Sequence, residues 1–235
     1  VAGIYTYNKF IEHTASQKNL LSDKDGEYYN WKYGNVFYTK TGNGSPVLLI
    51  HDTDSAASSA EWNKLYSRLV KNHTVYSIDL LGCGRSDKPA LDYTNYLYVQ
   101  MIHAFMKDVI QKKTVVIASN ISASFVIMAN HIDDSLFEKI VLINPAPLSQ
   151  LDIIPDKVSK VKKTIIQLPF VGTFVYNIMN NMQHIDNSFR TRYVEKSQLL
   201  SSSIEDIYYE AAHKNGSNGR FLYSSLLGNY VNNSI

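Results

Sequence analysis

KTVVIASNISASFVIMA, residues 113–129, passes from a strand through a tight turn into a helix. Val115, Val116 and Ile117 form a continuous apolar run, the pattern of a strand covered on both faces. Ala118 to Ser124 are nearly all small or turn-forming, which suits a sharp bend. Phe125, Met128 and Ala129 then recur at helical spacing. A turn of this kind lifts one side chain onto a crest beside a helix N-terminus. The gap-free reading puts Asn120 on that crest, with Ile121 directly after it and Ser122 one step further.

Outward from this stretch, strands and helices alternate. Tyr28–Trp31 and Asn35–Thr39 read as a hairpin turning at Tyr33-Gly34, and Val47–Ile50 as a buried strand running into His51-Asp52. Ser58 and Glu61 have the spacing of a capping box ahead of a helix with Trp62, Leu65, Tyr66 and Leu69 on one face. Thr74–Leu80 is the next strand, residues 81–89 a loop, and 96–110 a helix with Leu97, Met101, Phe105 and Val109 inward. Lys139–Ile143 is a further strand. This alternation predicts a doubly wound, mostly parallel α/β sheet.

Composition narrows the function. The chain has 235 residues, 45% of them hydrophobic, enough for one large core. A formal charge of +2 gives no electrostatic footprint for nucleic acid, and none is expected as a partner. The single cysteine, Cys83, excludes an internal disulfide and a multi-cysteine metal centre. Asp52 and Asp54 lack a matching set of further ligands, so no metal is expected. The glycines of the 81–89 loop are explained by turn chemistry, and no phosphate-binding or cofactor pattern is read.

Residues 1–27 form an opening segment with an apolar and aromatic start, VAGIYTYNKFI. It reads as an amphipathic first helix or as the stub of a membrane tether with Tyr5 and Tyr7 at the interface. It is too short to span a bilayer, which takes roughly 20 apolar residues. Both a cytoplasmic and a membrane-tethered location therefore stay open.

Three motifs in order carry a resemblance. VLLIHD at 47–52 is similar to a strand ending in His-Gly, and DLLGCGRSDKP at 79–89 to a D-x-x-G-x-G-x-S-x-x-P loop. VVIASNISAS at 115–124 followed by KIVLINP at 139–145 is similar to an elbow, a helix and the next strand. Together they resemble the α/β-hydrolase superfamily of lipases, esterases and epoxide hydrolases. The resemblance implies a core over 28–150 and a helical cap over 151–235. In that cap Val158, Val161, Ile165 and Ile166 suit one inward helix face, residues 170–182 a second helix, Ser203 the cap of a third, and residues 221–231 a last one.

The resemblance also assigns roles. In such proteins the crest carries the nucleophilic Ser of G-x-S-x-G. Here Asn120 takes that place, and a carboxamide is no nucleophile at neutral pH. The oxyanion donors would fall at Ile121 and Thr53, beside His51 and Asp52. Asp52 stands where a Gly is usual, and its carboxylate opposes an oxyanion unless it points away. The triad's acid and base follow two more strands, beyond Ile235. The first expectation is therefore a catalytically degenerate fold that binds a small apolar or ester-like ligand, or a partner, under the cap. The second is a serine ester hydrolase using Ser122 in a shifted turn, with acid and base from a segment beyond this sequence. Without further strands, Lys139–Ile143 is also expected to be a sheet edge, which favours a homo-oligomer.

Overall fold

Short apolar runs, buried along their length in the central strands, build one mixed sheet. In the computed structural model, which describes residues 2–188 and 202–232, the strands are β1 (Glu27–Trp31), β2 (Gly34–Thr41), β3 (Ser45–Ile50), β4 (His73–Ile78), β5 (Thr114–Ser119) and β6 (Phe137–Ile143). Their spatial order is β1-β2-β4-β3-β5-β6. The β1–β2 and β2–β4 pairs are antiparallel. The β4–β3, β3–β5 and β5–β6 pairs are parallel. The α/β class and the mostly parallel core are as expected.

The helices are α1 (Ala2–Ala15), α2 (Asn63–Leu69), α3 (Asn95–Phe105), α4 (Ser122–Ile132), α5 (Leu148–Leu151), α6 (Lys157–Gln167), α7 (Val171–Met179), α8 (Met182–Ser188), α9 (Ser202–His213) and α10 (Arg220–Leu227). Successive strand residues point to opposite faces, and the core divides accordingly. Leu48, Ile50, Tyr76 and Val116 pack with Met101 and Phe105 of α3 and Phe125 and Ala129 of α4. Val47, Leu49, Val75 and Ile117 pack with Trp62 and, from α2, Leu65, Tyr66 and Leu69. Helices thus cover both faces of the central strands, which is why β3 and β5 read as unbroken apolar runs.

Several local expectations differ from the structure. Ser58 makes no side-chain cap; residues Ser59–Trp62 form a 3-10 turn ahead of α2. The helix expected over 96–110 changes to a π-turn at Met106–Ile110. The single helix expected over 170–182 is broken at Asn180 and Asn181 into α7 and α8. On α6 only Ile166 of the expected inward face is buried, while Val158, Val161 and Ile165 are exposed. An apolar stripe on a helix identifies a face, not what covers it. Ser203 belongs to α9, and its side chain lies outside the described residues.

β6 is the last strand of the sheet, and Val141 and Ile143 on it are each 37% exposed. At the other extremity of the chain α1 packs its Tyr7 ring against Phe174 of α7. Among the described residues no helix is long and apolar enough to cross a membrane.

Candidate functional site

The C-terminal ends of the parallel strands bring the loops after β3 and β5 together. Asn120 sits on the crest between β5 and α4 with φ of 45°, a left-handed conformation that Asn adopts more readily than most residues. Its N–H donates to Ile143 O at 3.1 Å, and its carbonyl accepts from Ala146 N at 3.2 Å. The crest is thereby pinned to the end of β6. The structure places Asn120, and not Ser122, at the turn.

The Asp52 side chain points into the site. Its Oδ1 accepts from Thr53 N at 2.7 Å and from Ile121 N at 3.4 Å. Its Oδ2 accepts from Asn120 Nδ2 at 2.8 Å. Asp52 is 4% exposed. The two backbone donors expected to face an oxyanion therefore face a carboxylate of the chain itself.

Ser122 is fully buried in the first turn of α4. Its hydroxyl donates to His51 O at 2.7 Å and lies 2.7 Å from Thr53 Oγ1. His51 is equally buried, and both ring nitrogens are engaged by backbone: Nε2 accepts from Leu80 N at 2.9 Å, so Nδ1 carries the proton and donates to Asp52 O at 2.6 Å. Among the described residues no imidazole nitrogen hydrogen-bonds to the side chain of Asn120 or of Ser122.

Two residues of this cluster were missed in the sequence. Glu61, assigned to a capping box, instead reaches Asp52 N at 3.0 Å and Ser119 Oγ at 2.6 Å. Burial raises the Glu61 carboxyl above its ordinary value, against the opposing effect of the Ser119 hydrogen bond. Tyr208 of α9 lies close enough to feel Glu61, Asp52 and Asp54; burial is the main cause of its raised phenol pKa. Helical spacing already puts Ile207, Tyr208 and Ala211 on an inward face, but the partners of Glu61 and Tyr208 come from other elements and leave no local signal.

The 79–89 loop is held by its own charges. Asp79 is fully buried and accepts from Arg85 Nε at 2.7 Å, Arg85 N at 2.8 Å and Ser59 N at 2.7 Å. Burial alone would raise this carboxyl, but the Arg85 charge and hydrogen bonds outweigh it and hold it well below the usual carboxylate range. Lys88 is 5% exposed and donates to Gly84 O and, across to α9, to Ala211 O, each at 2.9 Å. Burial lowers its pKa to about 8. His103 lies 3.5 Å from Asp133, and His73 Nδ1 2.9 Å from Ser45 Oγ, in structural contacts away from the crest. No cluster of three or more His, Cys, Asp or Glu among the described residues is placed to hold a metal ion.

Two cavities lie outside this cluster. One, of about 370 Å³, opens between Ile207 of α9, Leu20 and Leu21 of the segment after α1, and a core wall that includes Thr39, Tyr66, Ser77 and Arg85. The other, of about 850 Å³, lies between α1 and the segment after α9, with Glu12, His13, His213 and Asn218 on its walls. Neither is lined by Asn120, Asp52 or Ser122.

No family model matches the chain. A stretch of 71 residues is 34% identical to 2-hydroxy-6-oxo-6-(2'-aminophenyl)hexa-2,4-dienoic acid hydrolase of Metapseudomonas resinovorans, covering 30% of this chain and 24% of that protein. The chain thus matches about a quarter of that relative's length. Among solved structures, the epoxide hydrolase CorEH superposes with a TM-score of 0.68 at 16% identity, over 86% of this chain and 73% of that one. A mutant of the meta-cleavage product hydrolase CumD of Pseudomonas fluorescens IP01 superposes with a TM-score of 0.66 at 17% identity, over 89% of this chain and 74% of that one.

Proposed function

On the α/β-hydrolase fold that this chain adopts, we propose a protein that does not hydrolyse and instead binds a small, largely apolar ligand at the seam of core and cap. One observation carries the noncatalytic part: the Asp52 carboxylate takes the N–H groups of both Thr53 and Ile121. Acyl transfer needs such donors free for the charge that develops on the carbonyl oxygen. A resident carboxylate both consumes them and repels that charge. The crest residue adds to this, since the Asn120 amide nitrogen is delocalised into its carbonyl and is no nucleophile at neutral pH.

Ser122 does not replace it. Its proton is committed to the His51 carbonyl, and it is fully buried beneath the crest. The cavity of about 370 Å³ between Ile207 and the core supports the binding part, its size and mixed lining suiting a small amphiphile.

The test is labelling with a fluorophosphonate probe, read by intact mass, together with p-nitrophenyl acetate turnover. Neither labelling nor turnover above background is expected. Stoichiometric adduct on Ser122 would establish the alternative, a serine ester hydrolase drawing its acid and base from beyond residue 235. Ligand uptake is read separately: Ile207→Trp fills the seam cavity and is expected to abolish the fluorescence gain of an anilinonaphthalene sulfonate probe.

A further inference from the structure

We propose that α6 is a membrane-surface helix, which lays an apolar stripe and the aromatic turn after it onto an anionic lipid bilayer without crossing it.

Helical spacing and exposure together define the stripe. Val158, Val161 and Ile165 share one side of α6 and are 60, 58 and 43% exposed. Ser159 and Ile166, on the opposite side, are buried. The helix is therefore seated by its other face, and the stripe is what it presents outward. Lys157 and Lys162 fall on the two borders of the stripe, and Lys160 extends the first border. Lys163 is turned elsewhere, to Asp92 at 2.7 Å. No acid lies on α6, and Asp156 just ahead of it is engaged as the N-cap by Ser159 N at 2.7 Å.

This charge pattern selects the occupant. Single exposed apolar side chains are ordinary, but a contiguous apolar patch marks an interaction surface. Lysine stems lie along apolar surface while their ammonium groups reach outward, which puts them among lipid phosphates when the stripe enters a bilayer. A second copy of the chain on the same face would set lysine borders against each other. An anionic bilayer satisfies both the stripe and its borders.

The surface continues along the chain past α6. Phe170, in the turn to α7, is 51% exposed and holds φ of 60°, a backbone conformation that is costly for a bulky residue. Its neighbours Leu168 and Val171 are each 45% exposed. Tyr5 of α1 sets its ring 6.4 Å from that of Phe170, and Asn8 Nδ2 donates to Phe170 O at 3.1 Å. Packing does not explain strain that holds an aromatic ring out in water, whereas a headgroup layer that receives the ring does. None of these residues lines either cavity, so the surface is separate from the proposed ligand site.

The experiment measures cosedimentation of the 235-residue chain with vesicles of phosphatidylcholine alone and of phosphatidylcholine mixed with phosphatidylglycerol, at low and high salt. Binding to the mixed vesicles is expected to be roughly tenfold the stronger and to fall with salt. Val158→Ser with Val161→Ser and Ile165→Ser changes only exposed positions, and it is expected to weaken binding to both vesicles by about tenfold or more. Lys157→Gln with Lys160→Gln and Lys162→Gln is expected to lose the preference for anionic lipid. In Val161→Trp the added indole is expected to shift its emission to the blue on mixed vesicles, against the buried Trp31 and Trp62. Failure of the unchanged chain to bind mixed vesicles overturns the proposal, as does binding that the serine variant leaves intact or an anionic preference that the glutamine variant keeps. Self-association abolished by the serine variant, without vesicle binding, would assign the face to a second copy and overturn it equally.

Discussion

Asn120 Nδ2 lies 2.8 Å from Asp52 Oδ2, and this bond joins the crest after β5 to the loop after β3. It ties the two loops together through a contact between their side chains. The consequences of this contact are measurable.

Replacing Asn120 by Asp sets a second carboxylate against Asp52 in a partly buried site. At neutral pH, Asn120→Asp is expected to lose about 2 kcal/mol of stability in urea titrations, from charge repulsion and the lost amide donor. The native pair then binds a proton more tightly than the unfolded chain, so the loss shrinks as pH falls. A loss that is constant with pH would show that the two groups do not face each other. Asn120→Ser, in turn, is expected to gain no esterase activity, because Asp52 still occupies the donors.

Glu61 is expected to make stability pH-dependent. Burial raises its folded carboxyl pKa. Its contribution is therefore fully present below the ordinary glutamate value and is lost as pH rises through the raised one. Glu61→Gln keeps an acceptor for Asp52 N and, with the Ser119 hydroxyl turned, a partner for Ser119. The variant should gain on the unchanged chain as pH climbs from acidic to neutral. Parallel urea midpoints across that range would contradict the assignment.

Arg85→Met leaves Asp79 as a buried carboxylate without its cation, and the expected cost is about 3–5 kcal/mol at neutral pH. The Asp79 carboxyl is held below its unfolded value, so its stabilisation is present above that value and lost on acidification. The penalty of the substitution should therefore diminish in acid.

Lys88 also makes stability rise with pH, here by relief of a burial cost. Its folded pKa of about 8 lies below the usual lysine value of 10.5. Burying the ammonium costs stability below the folded value, and the cost is relieved as pH rises between the two. Relative to Lys88→Met, the unchanged chain is expected to gain stability in that window, by at most about 1.4 kcal/mol per pH unit.

The β6 edge is the last testable feature. Unpaired strand edges template association. We propose that the chain self-associates through this edge, where Val141 and Ile143 are each 37% exposed. Sedimentation of the 235-residue chain should show dimers or larger assemblies, and Val141→Lys with Ile143→Lys should return monomers. A monomer before substitution would remove the idea.

What the sequence revealed follows from where its signals are local. The apolar run of 115–117, the small-residue bend and the periodicity after Phe125 depend on neighbours in the chain, and they gave β5, the crest and α4 with Asn120 in place. The direction of the Asp52 side chain is not local. It is set by donors from Asn120 and Ile121, 68 and 69 positions away. Glu61 was misread for the same reason: a capping-box spacing is local, whereas its partner Ser119 lies 58 positions on. On α6 the missed feature was the reverse. The capping box of Asp156 and Ser159 is a purely local device, with Ser159 N donating to Asp156 Oδ1 at 2.7 Å and Asp156 N to Ser159 Oγ at 2.8 Å, yet Asp-x-x-Ser is a weaker pattern than Ser-x-x-Glu.

Lys88 reaches out of the core loop and grips a main-chain carbonyl of α9 at 2.9 Å. A helix riveted in this way by a desolvated cation cannot swing aside as a flap without stranding that charge. The hollow beside Ile207 is therefore bounded on its α9 side by a helix whose position is fixed by a buried charge.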